Sequence, residues 1–450
     1  MVRRGSPKTT KENDGSEMII TPCEIKSSVG EQVIRELLGR FQLSGEAVEG
    51  SVAEILADVR SRGDAAVLDY TKKFDAPGLK QPLALSAAEL EQAYQRVDSA
   101  FLEALEVAID RIQGFHEREM EDSWLQTREN GTIVGRLVRP VDRAGLYVPG
   151  GQGGSTPLVS SVLMNGIPAG IAGVAQRVMM TPPAEDGSVS PHLLVAAQEI
   201  GITEIYRAGS AWAVAALAFG TESIPAVDVI VGPGNQYVTE AKRQVSGMVR
   251  IDMIAGPSEV LIVADSSADP ACIAADMLAQ AEHDPQALAI VITTDSSQPA
   301  EIVKHLEDQL AGLSRKDVAR RSLAARERIL IAQTLEEAVD LANEIAIEHL
   351  ELMIVDPWSQ VPQIRHAGAI FLGHHTPEAA GDYLAGPNHV LPTMGTARFA
   401  SALGVETFLK KSSIISYSAG ALKEDADHIR ALARLEGLTA HAASVTRRLS

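Results

Sequence analysis

Apolar residues recur every three or four positions along the N-terminal part of the chain. EQVIRELLGRF and SVAEILADVRSRG both show this spacing, which is typical of amphipathic helices. Gly63 is placed to end the second helix, and Ser86 is placed to cap a further one that begins at AAELEQAYQRV. Residues 18–65 and 87–120 are therefore predicted to be mainly helical.

From about residue 132 the pattern changes to short β-rich runs. Between 147 and 257 these runs alternate with helical ones, and the alternation resumes at EVLIVAD, ALAIVITTD and ELMIVD. This βαβ rhythm predicts parallel sheets joined by right-handed crossovers. The expected fold class is α/β, with two Rossmann-like parallel-sheet domains that lack a GxGxxG motif, plus helical N- and C-terminal extensions.

The points where these patterns change suggest the domain boundaries. The first 17 residues are polar and lack the apolar core of a secretory signal. The predicted segments are a disordered tail at 1–17, an N-terminal helical arm at 18–41, a first α/β domain made of 42–146 and 258–402, a second α/β domain at 147–257, and a C-terminal helical tail at 403–450.

Composition narrows the class of protein. Hydrophobic residues make up 45% of the chain and aromatics only 4%, which is typical of parallel strands buried on both faces by aliphatic side chains. A formal net charge of −19 argues against a nucleic-acid partner. No apolar run approaches the roughly 18 residues of a membrane span. Two cysteines, Cys23 and Cys272, without a CxxC motif fit a reducing compartment, so we expect a cytoplasmic protein.

A helix predicted at 270–284 carries the first candidate for chemistry. Asp269 can cap it and Pro270 suits its first turn. Gln280 and His283, in QAEH, lie three residues apart near its end and project from the same face. The alternative interpretation is a polar Gln with a His favourably placed at a helix C-terminus.

Histidine residues concentrate in the last quarter of the chain. His349 follows Glu348 where a predicted helix meets the strand ELMIVD, and loops at such ends of open sheets often carry active sites. A carboxylate and an imidazole at this junction can turn towards one pocket as an acid/base pair. Seven of the 11 histidines lie in this part of the chain, at positions 349, 366, 374, 375, 389, 428 and 441.

Two further segments combine carboxylates with imidazoles. GDYLAGPNHVLPT holds Asp382 and His389 in a loop rich in turn residues, and such oxygen and nitrogen ligands suit zinc or a similar divalent ion. EGLTAH holds Glu436 and His441, for which a solvated helix face is the alternative. The sequence contains no P-loop and no HExxH motif, but glycine runs at 150–154 and 232–234 could bring backbone N–H groups to phosphates.

Seven motifs in order resemble the histidinol dehydrogenase family, from about residue 20 to the C-terminus. They are GLYVPGG, GPGNQYVTEAKRQV, IDMIAGPSEV, QAEHD, IEHLEL, GDYLAGPNHVLPT and EGLTAH. The resemblance implies NAD-dependent, zinc-requiring oxidation of L-histidinol to L-histidine through L-histidinal, the last steps of histidine biosynthesis. It also implies a homodimer with shared active sites, in which zinc takes the histidine of EGLTAH from the neighbouring subunit.

The resemblance also assigns individual roles. The catalytic pair falls on Glu348 and His349. The ligands of one zinc per subunit, which also meet the substrate together with His349, fall on Gln280, His283, Asp382 and His441. The other substrate contacts fall on Ser258, His389 and Glu436, and the nucleotide contacts fall on Tyr147, Trp212 and Asn235.

Two departures from the family pattern lie in the expected cofactor region. Trp212, in GSAWA, stands where many members have Gln, and the glycine-rich segment GGQGGSTPL differs from the commoner pattern. The expected zinc and catalytic residues are all of the family's type. The departures therefore concern NAD binding alone.

The resemblance implies a mechanism, and three other functions are alternatives to it. Zinc would anchor the substrate's amino and imidazole nitrogens, His349 would act as the base, and Glu348 would orient the water that attacks the aldehyde. The rivals are a paralogue that oxidises another polar alcohol such as a sulfonated diol, a zinc hydrolase, and a non-catalytic nucleotide-binding protein. Glu436 and His389, which would meet the histidinol imidazole and amine, favour histidinol.

Overall fold

A computed structural model describes residues 20–41, 45–80, 82–150 and 156–449. The predicted tail at 1–17 and most of the glycine-rich segment at 150–154 lie outside these residues. The strands are β1 (Cys23–Glu24), β2 (Trp124–Thr127), β3 (Ile133–Pro140), β4 (Arg143–Tyr147), β5 (Gln176–Thr181), β6 (Glu204–Arg207), β7 (Val229–Val231), β8 (Arg250–Ile251), β9 (Glu259–Ala264), β10 (Leu288–Thr293), β11 (Arg328–Ile331), β12 (His349–Met353), β13 (Ala369–Leu372) and β14 (Leu409–Ser416).

The helices confirm most of the periodic patterns. None of the described ones is long and apolar enough to cross a membrane. They are α1 (Ser28–Leu38), α2 (Glu46–Arg62), α3 (Asp64–Phe74), α4 (Ala87–Ala93), α5 (Ser99–His116), α6 (Val159–Ile171), α7 (Pro191–Glu199), α8 (Ser210–Phe219), α9 (Gln236–Val245), α10 (Pro270–Ala281), α11 (Gln298–Leu310), α12 (Lys316–Arg326), α13 (Leu335–Ile345), α14 (Glu378–Tyr383), α15 (Ala419–Leu435) and α16 (Thr439–Arg447).

Helix ends follow local chemistry. Ser86 caps α4 in a capping box with Glu89, and the Asp269 side chain accepts the Ala271 N–H at the start of α10. Gly63 ends α2 with a φ of 57°, a conformation that favours glycine. The helix α10 ends at Ala281, before the predicted boundary at 284, so His283 lies in the turn beyond it.

The described chain divides into two compact units. Residues 20–41, 255–381 and 391–402 belong to the first unit, and the other described residues belong to the second.

The first unit is built on a six-stranded parallel sheet with the order β1–β11–β10–β9–β12–β13. The chain adds β10 and β11 on one side of β9 and then returns to place β12 on its other side. Every residue of β9 and β10 is buried, because apolar side chains cover both faces of the sheet.

The second unit contains a five-stranded parallel sheet with the order β6–β5–β4–β7–β8. Here the strand order reverses between β4 and β7. A separate antiparallel sheet has the order β14–β3–β2, with Leu409 opposite Pro140 and Ser416 opposite Ile133. The C-terminal segment predicted to be a helical tail therefore also supplies a strand to this unit.

The unit boundaries differ from the predicted domain boundaries in two places. Residues 45–146 and 382–390 lie in the second unit with 156–254, and not with the rest of 258–402 as predicted. The reason is packing, since Val52, Ile55 and the rest of the apolar stripe of α2 lie in the same core as α8. The predicted N-terminal arm is part of the first unit, because β1 pairs with β11. A hydrophobic stripe predicts that a helix packs, but not which surface it packs against.

Candidate active site

His349, the first residue of β12, is held at the amino edge of the sheet of the first unit. It pairs in register with Val260 of β9, and only 4% of its surface is exposed. Its Nδ1 lies 3.0 Å from the carbonyl oxygen of Glu259. Because a carbonyl oxygen can only accept, Nδ1 carries the hydrogen and donates it. In the neutral ring, Nε2 is then the basic nitrogen.

Glu259 also fixes the side chain of Glu348. Its Oε2 accepts the backbone N–H of Glu259 at 2.7 Å and lies 3.7 Å from His349 Nδ1. Both side chains are buried. The structure thus brings the predicted carboxylate and imidazole together, and the N–H and C=O groups of a single residue orient them.

The side chain of Glu259 anchors this arrangement. Its two carboxylate oxygens accept from Arg40 at 2.6 and 2.9 Å, and one also accepts the Met394 N–H at 3.1 Å. The side chains of Arg40 and Glu259 are 6% and 2% exposed, so the ion pair is buried. A bidentate pair of this kind has a defined geometry that a single contact lacks.

A second buried acidic pair lies beside the imidazole. Side chains alternate along β12, so His349 and Glu351 point to one face of the sheet. Glu351 is hydrogen-bonded to Asp276 of α10. Burial raises the pKa of Asp276 to about 6, and burial together with Asp276 raises the pKa of Glu351 well above its ordinary value. Burial therefore disfavours the charged form of both carboxyl groups.

Three side chains form a candidate metal centre. His283, Glu378 and Asp382 offer ligand atoms that all lie within 4.8 Å of one another. Burial raises the pKa of Asp382 to about 6 and lowers the pKa of His283 below its ordinary value. An imidazole nitrogen and carboxylate oxygens this close together form a donor set that suits a divalent metal.

Gln280 also fits a ligand at this position. Its side chain is fully buried, and within the described residues neither its Oε1 nor its Nε2 has a hydrogen-bond partner. The His283 N–H donates to the Gln280 carbonyl at 3.2 Å, so a single turn keeps the two residues adjacent. A buried amide without partners costs about 1–3 kcal/mol, and a bound metal or substrate would offset that cost.

The remaining predicted substrate and zinc residues are not gathered into this centre. Ser258 is half-buried immediately before β9, and His389 is half-buried in the second unit. Glu436 ends α15 and His441 lies on α16, and both side chains are exposed. Across the described ranges, the group of candidate metal ligands does not include His441.

Two of the predicted nucleotide contacts lie where the strand order of the second unit's parallel sheet reverses. Tyr147 ends β4, and Asn235 follows the adjacent β7 and caps α9 by accepting the N–H groups of Tyr237 and Val238. Gly232 has a φ of 115°, and a Cβ there would lie 2.1 Å from the Tyr147 carbonyl oxygen. Nucleotides bind outside the carboxyl ends of strands at such reversal points.

Trp212, the third predicted nucleotide contact, is buried among aromatic side chains. Its side chain is 4% exposed, and its Nε1 donates to Thr71 Oγ1 at 3.1 Å. Its ring stacks on Tyr70 and Phe74, with centroids 5.8 and 5.6 Å apart. Trp212 therefore fills the core of the second unit, and its single polar atom bonds within the protein.

Several residues of the site were not predicted from the sequence. A pattern in the sequence could have pointed to Glu351, because HLELM alternates polar and apolar residues in a strand that is wholly buried. A weaker indication pointed to Asp276, which is the only charged residue within α10. Glu259 and Glu378 had no local signal. Arg40, which pairs with Glu259, and His349, which lies beside Glu378, are far away in the sequence.

Comparisons with known proteins point to one family. The family model described as histidinol dehydrogenase matches residues 39–449. Histidinol dehydrogenase of Desulfotalea psychrophila is 70% identical over 433 residues, covering 96% of this chain and 100% of the relative. That of Oleidesulfovibrio alaskensis is 52% identical over 434 residues, covering 95% and 100%.

A solved structure is also similar over its whole length. The crystal structure of histidinol dehydrogenase from Elizabethkingia anophelis matches with a TM-score of 0.90 and 37% identity, covering 97% of this chain and 99% of that one. The fold and the comparisons together define an α/β enzyme, with a buried carboxylate–imidazole pair on a parallel sheet. The chain belongs to the histidinol dehydrogenase family.

The metal centre leads to a first prediction. His283→Ala should lower the bound divalent metal by at least about tenfold at a fixed chelator concentration, because one ligand is lost from a small set. The fold should persist, because the cores are formed elsewhere. Elemental analysis measures the metal, and circular dichroism monitors folding. His305→Ala, on α11, is the matched control. Full metal content in His283→Ala would remove His283 from the ligand set.

Proposed function

We propose that this protein is an NAD-dependent, zinc-requiring L-histidinol dehydrogenase that oxidises L-histidinol to L-histidine through L-histidinal. The observation that carries the proposal is the buried Glu348–His349 pair, oriented by Glu259, in a chain 70% identical to a histidinol dehydrogenase. Oxidation of an alcohol requires removal of its hydroxyl proton, and a buried, oriented imidazole is suited to that step.

Four residues of this chain fit zinc. Gln280, His283 and Asp382 would hold it, with His441 supplied by a second subunit. Bound zinc supplies a Lewis-acid anchor for the substrate's nitrogens, and NAD accepts the hydride. Support comes from the buried amide of Gln280, which lacks partners among the described residues, and from the closeness of the His283 and Asp382 ligand atoms.

His349 acts as the general base in this proposal. Because Nδ1 donates to the Glu259 carbonyl, Nε2 takes the hydroxyl proton of histidinol. The carboxylates of Glu348 and Glu378 each have an oxygen 3.7 Å from Nδ1, so they stabilise the imidazolium that forms. In the second oxidation, the same nitrogen accepts a proton from the attacking water.

Glu348 orients the water that adds to the aldehyde. Its carboxylate is held by the Glu259 N–H at 2.7 Å, so it does not have to be ordered when the aldehyde forms. Ser258, His389 and Glu436 complete the substrate contacts. In the second unit, Tyr147 and Asn235 contact NAD at the reversal between β4 and β7, while Trp212 shapes that region from the core.

We further propose that the protein works in the cytoplasm. Cys272 is an exposed free thiol and Cys23 a partly buried one. Free thiols persist most readily in a reducing compartment.

A direct assay tests the proposed activity. Protein, zinc and NAD with L-histidinol should yield two NADH for each histidinol, because oxidation of a primary alcohol to an acid releases four electrons. Absorbance of NADH measures the yield. A sulfonated diol supplied in place of histidinol tests the paralogous activity. Turnover of the diol without turnover of histidinol, or no NADH from either, would contradict the proposal.

Glu348→Gln should separate the two oxidations. The amide can still accept the Glu259 N–H, so the fold should be kept, but it cannot activate water. We expect the oxidation of added histidinal to slow at least about tenfold more than that of histidinol. Single-turnover measurements of NADH with each substrate decide the point. Glu336→Gln, an exposed glutamate in α13, is the control. Equal losses in both steps would exclude the water-orienting role.

We also propose that the enzyme is a homodimer with shared active sites. Leu432, Leu435 and Leu438 are 64%, 84% and 42% exposed, and they flank the exposed Glu436 and His441. Apolar side chains at this spacing on a terminal helix favour burial against another chain. A second copy is the partner that the family resemblance implies.

Mixed dimers test the sharing of sites. His441→Ala and Gln280→Ala chains should each be inactive, and refolding them together should restore about one quarter of wild-type activity. Half of randomly paired dimers are mixed, and each of these has one site without either substitution. Analytical ultracentrifugation with one labelled chain confirms pairing. If mixed dimers form but stay inactive, each site is built within one chain.

A further inference from the structure

Glu378 lies between the imidazole of His349 and the candidate metal ligands. It is the first residue of α14, and 3% of its surface is exposed. Its Oε1 is 3.7 Å from His349 Nδ1, and its carboxylate is one of the three groups whose ligand atoms lie within 4.8 Å of one another. The buried Glu378 carboxylate therefore lies close both to the imidazole of His349 and to the candidate metal ligands.

The backbone of Glu378 is fixed independently of its side chain. Its N–H donates to Glu351 Oε1 at 3.0 Å, and Glu351 is hydrogen-bonded to Asp276. Asp276 lies on α10 one turn before Gln280, so these contacts tie α14 to β12 and to the helix that carries a candidate ligand. The position of the Glu378 carboxylate is therefore set by two neighbouring elements.

Two chemical reasons account for a carboxylate here. Within about 4 Å, its charge favours the cationic form of an imidazole, which is the form His349 takes after accepting a proton. Towards the metal, a carboxylate adds negative charge and either binds the ion or orients its ligands. Asp382 follows four residues later on the same short helix, so the two carboxylates share one face.

We propose that Glu378 is a positioning residue that couples the two halves of the site, supporting the metal ligands on one side and the imidazole of His349 on the other. This inference rests on the proposed function. Removing the charge of Glu378 should weaken metal binding and, separately, slow the proton-transfer chemistry when metal is saturating.

Glu378→Gln tests the coupling, because it keeps the shape and removes the charge. We expect metal affinity, measured by chelator competition, to fall about 10- to 100-fold. We also expect kcat at saturating metal to fall at least about tenfold, with KM for histidinol changed less than about threefold. Glu336→Gln, exposed in the same unit, should match wild type in both measurements.

The outcomes are distinct. Loss in both measurements supports the coupling. Three outcomes would each overturn the coupling. The first is weaker metal binding with full recovery of kcat at saturating metal. The second is lower kcat with unchanged metal affinity, and the third is no change in either measurement. Should Glu378→Gln fail to fold by circular dichroism, Glu378→Ala, which also removes the charge, is judged by the same criteria.

Failure of the proposed function is distinguishable from failure of this inference. If the wild-type protein oxidises no histidinol, the proposed function fails, and the chelator competition still compares the metal affinities of the wild type and Glu378→Gln.

Discussion

The buried ion pair between Arg40 and Glu259 supports the edge of the first unit's sheet that carries Glu348 and His349. Both side chains are almost fully enclosed, and breaking such a pair by removing one partner costs about 3–5 kcal/mol. Glu259 also donates its N–H to Glu348 and accepts the Nδ1–H of His349. The charged side chain fixes this residue, and the backbone of the same residue fixes the acid/base pair. Any movement of the start of β9 would therefore displace both groups together.

The candidate site of the second unit lies at the carboxyl ends of its parallel strands, whereas that of the first unit lies at the amino ends. In the second unit, Tyr147 and Asn235 follow the common rule and lie beyond the carboxyl ends of strands at a reversal of strand order. In the first unit, Glu348 and His349 lie at the amino ends. The amino end of a strand offers a backbone N–H without a partner in the sheet, and the Glu259 N–H uses this property to hold a carboxylate.

Buried carboxyl groups lie beside the imidazole of His349. Burial raises the pKa of Asp276, Glu351 and Asp382, since each loses the solvation of its charged form. Asp276 and Glu351 are hydrogen-bonded to each other. Beside Asp382, a divalent cation would provide compensating charge.

Local signals in the sequence determined much of this protein. Periodicity predicted the alternating strands and helices, and Asp269 and Pro270 marked the start of α10, because caps and turns depend on neighbouring residues. The motifs around Gln280, Glu348 and Asp382 identified the candidate ligands and the acid/base pair. These inferences needed only short stretches of chain.

Tertiary structure alone decided the rest. The stripe of α2 predicted burial but not its partner, and the pairing of β14 with β3 joins segments far apart in the chain. Glu259 and Glu378 gained their roles from Arg40 and His349, which no spacing links to them. The physical reason is that such contacts depend on which surfaces fold against each other, whereas periodicity and capping depend on the local chain.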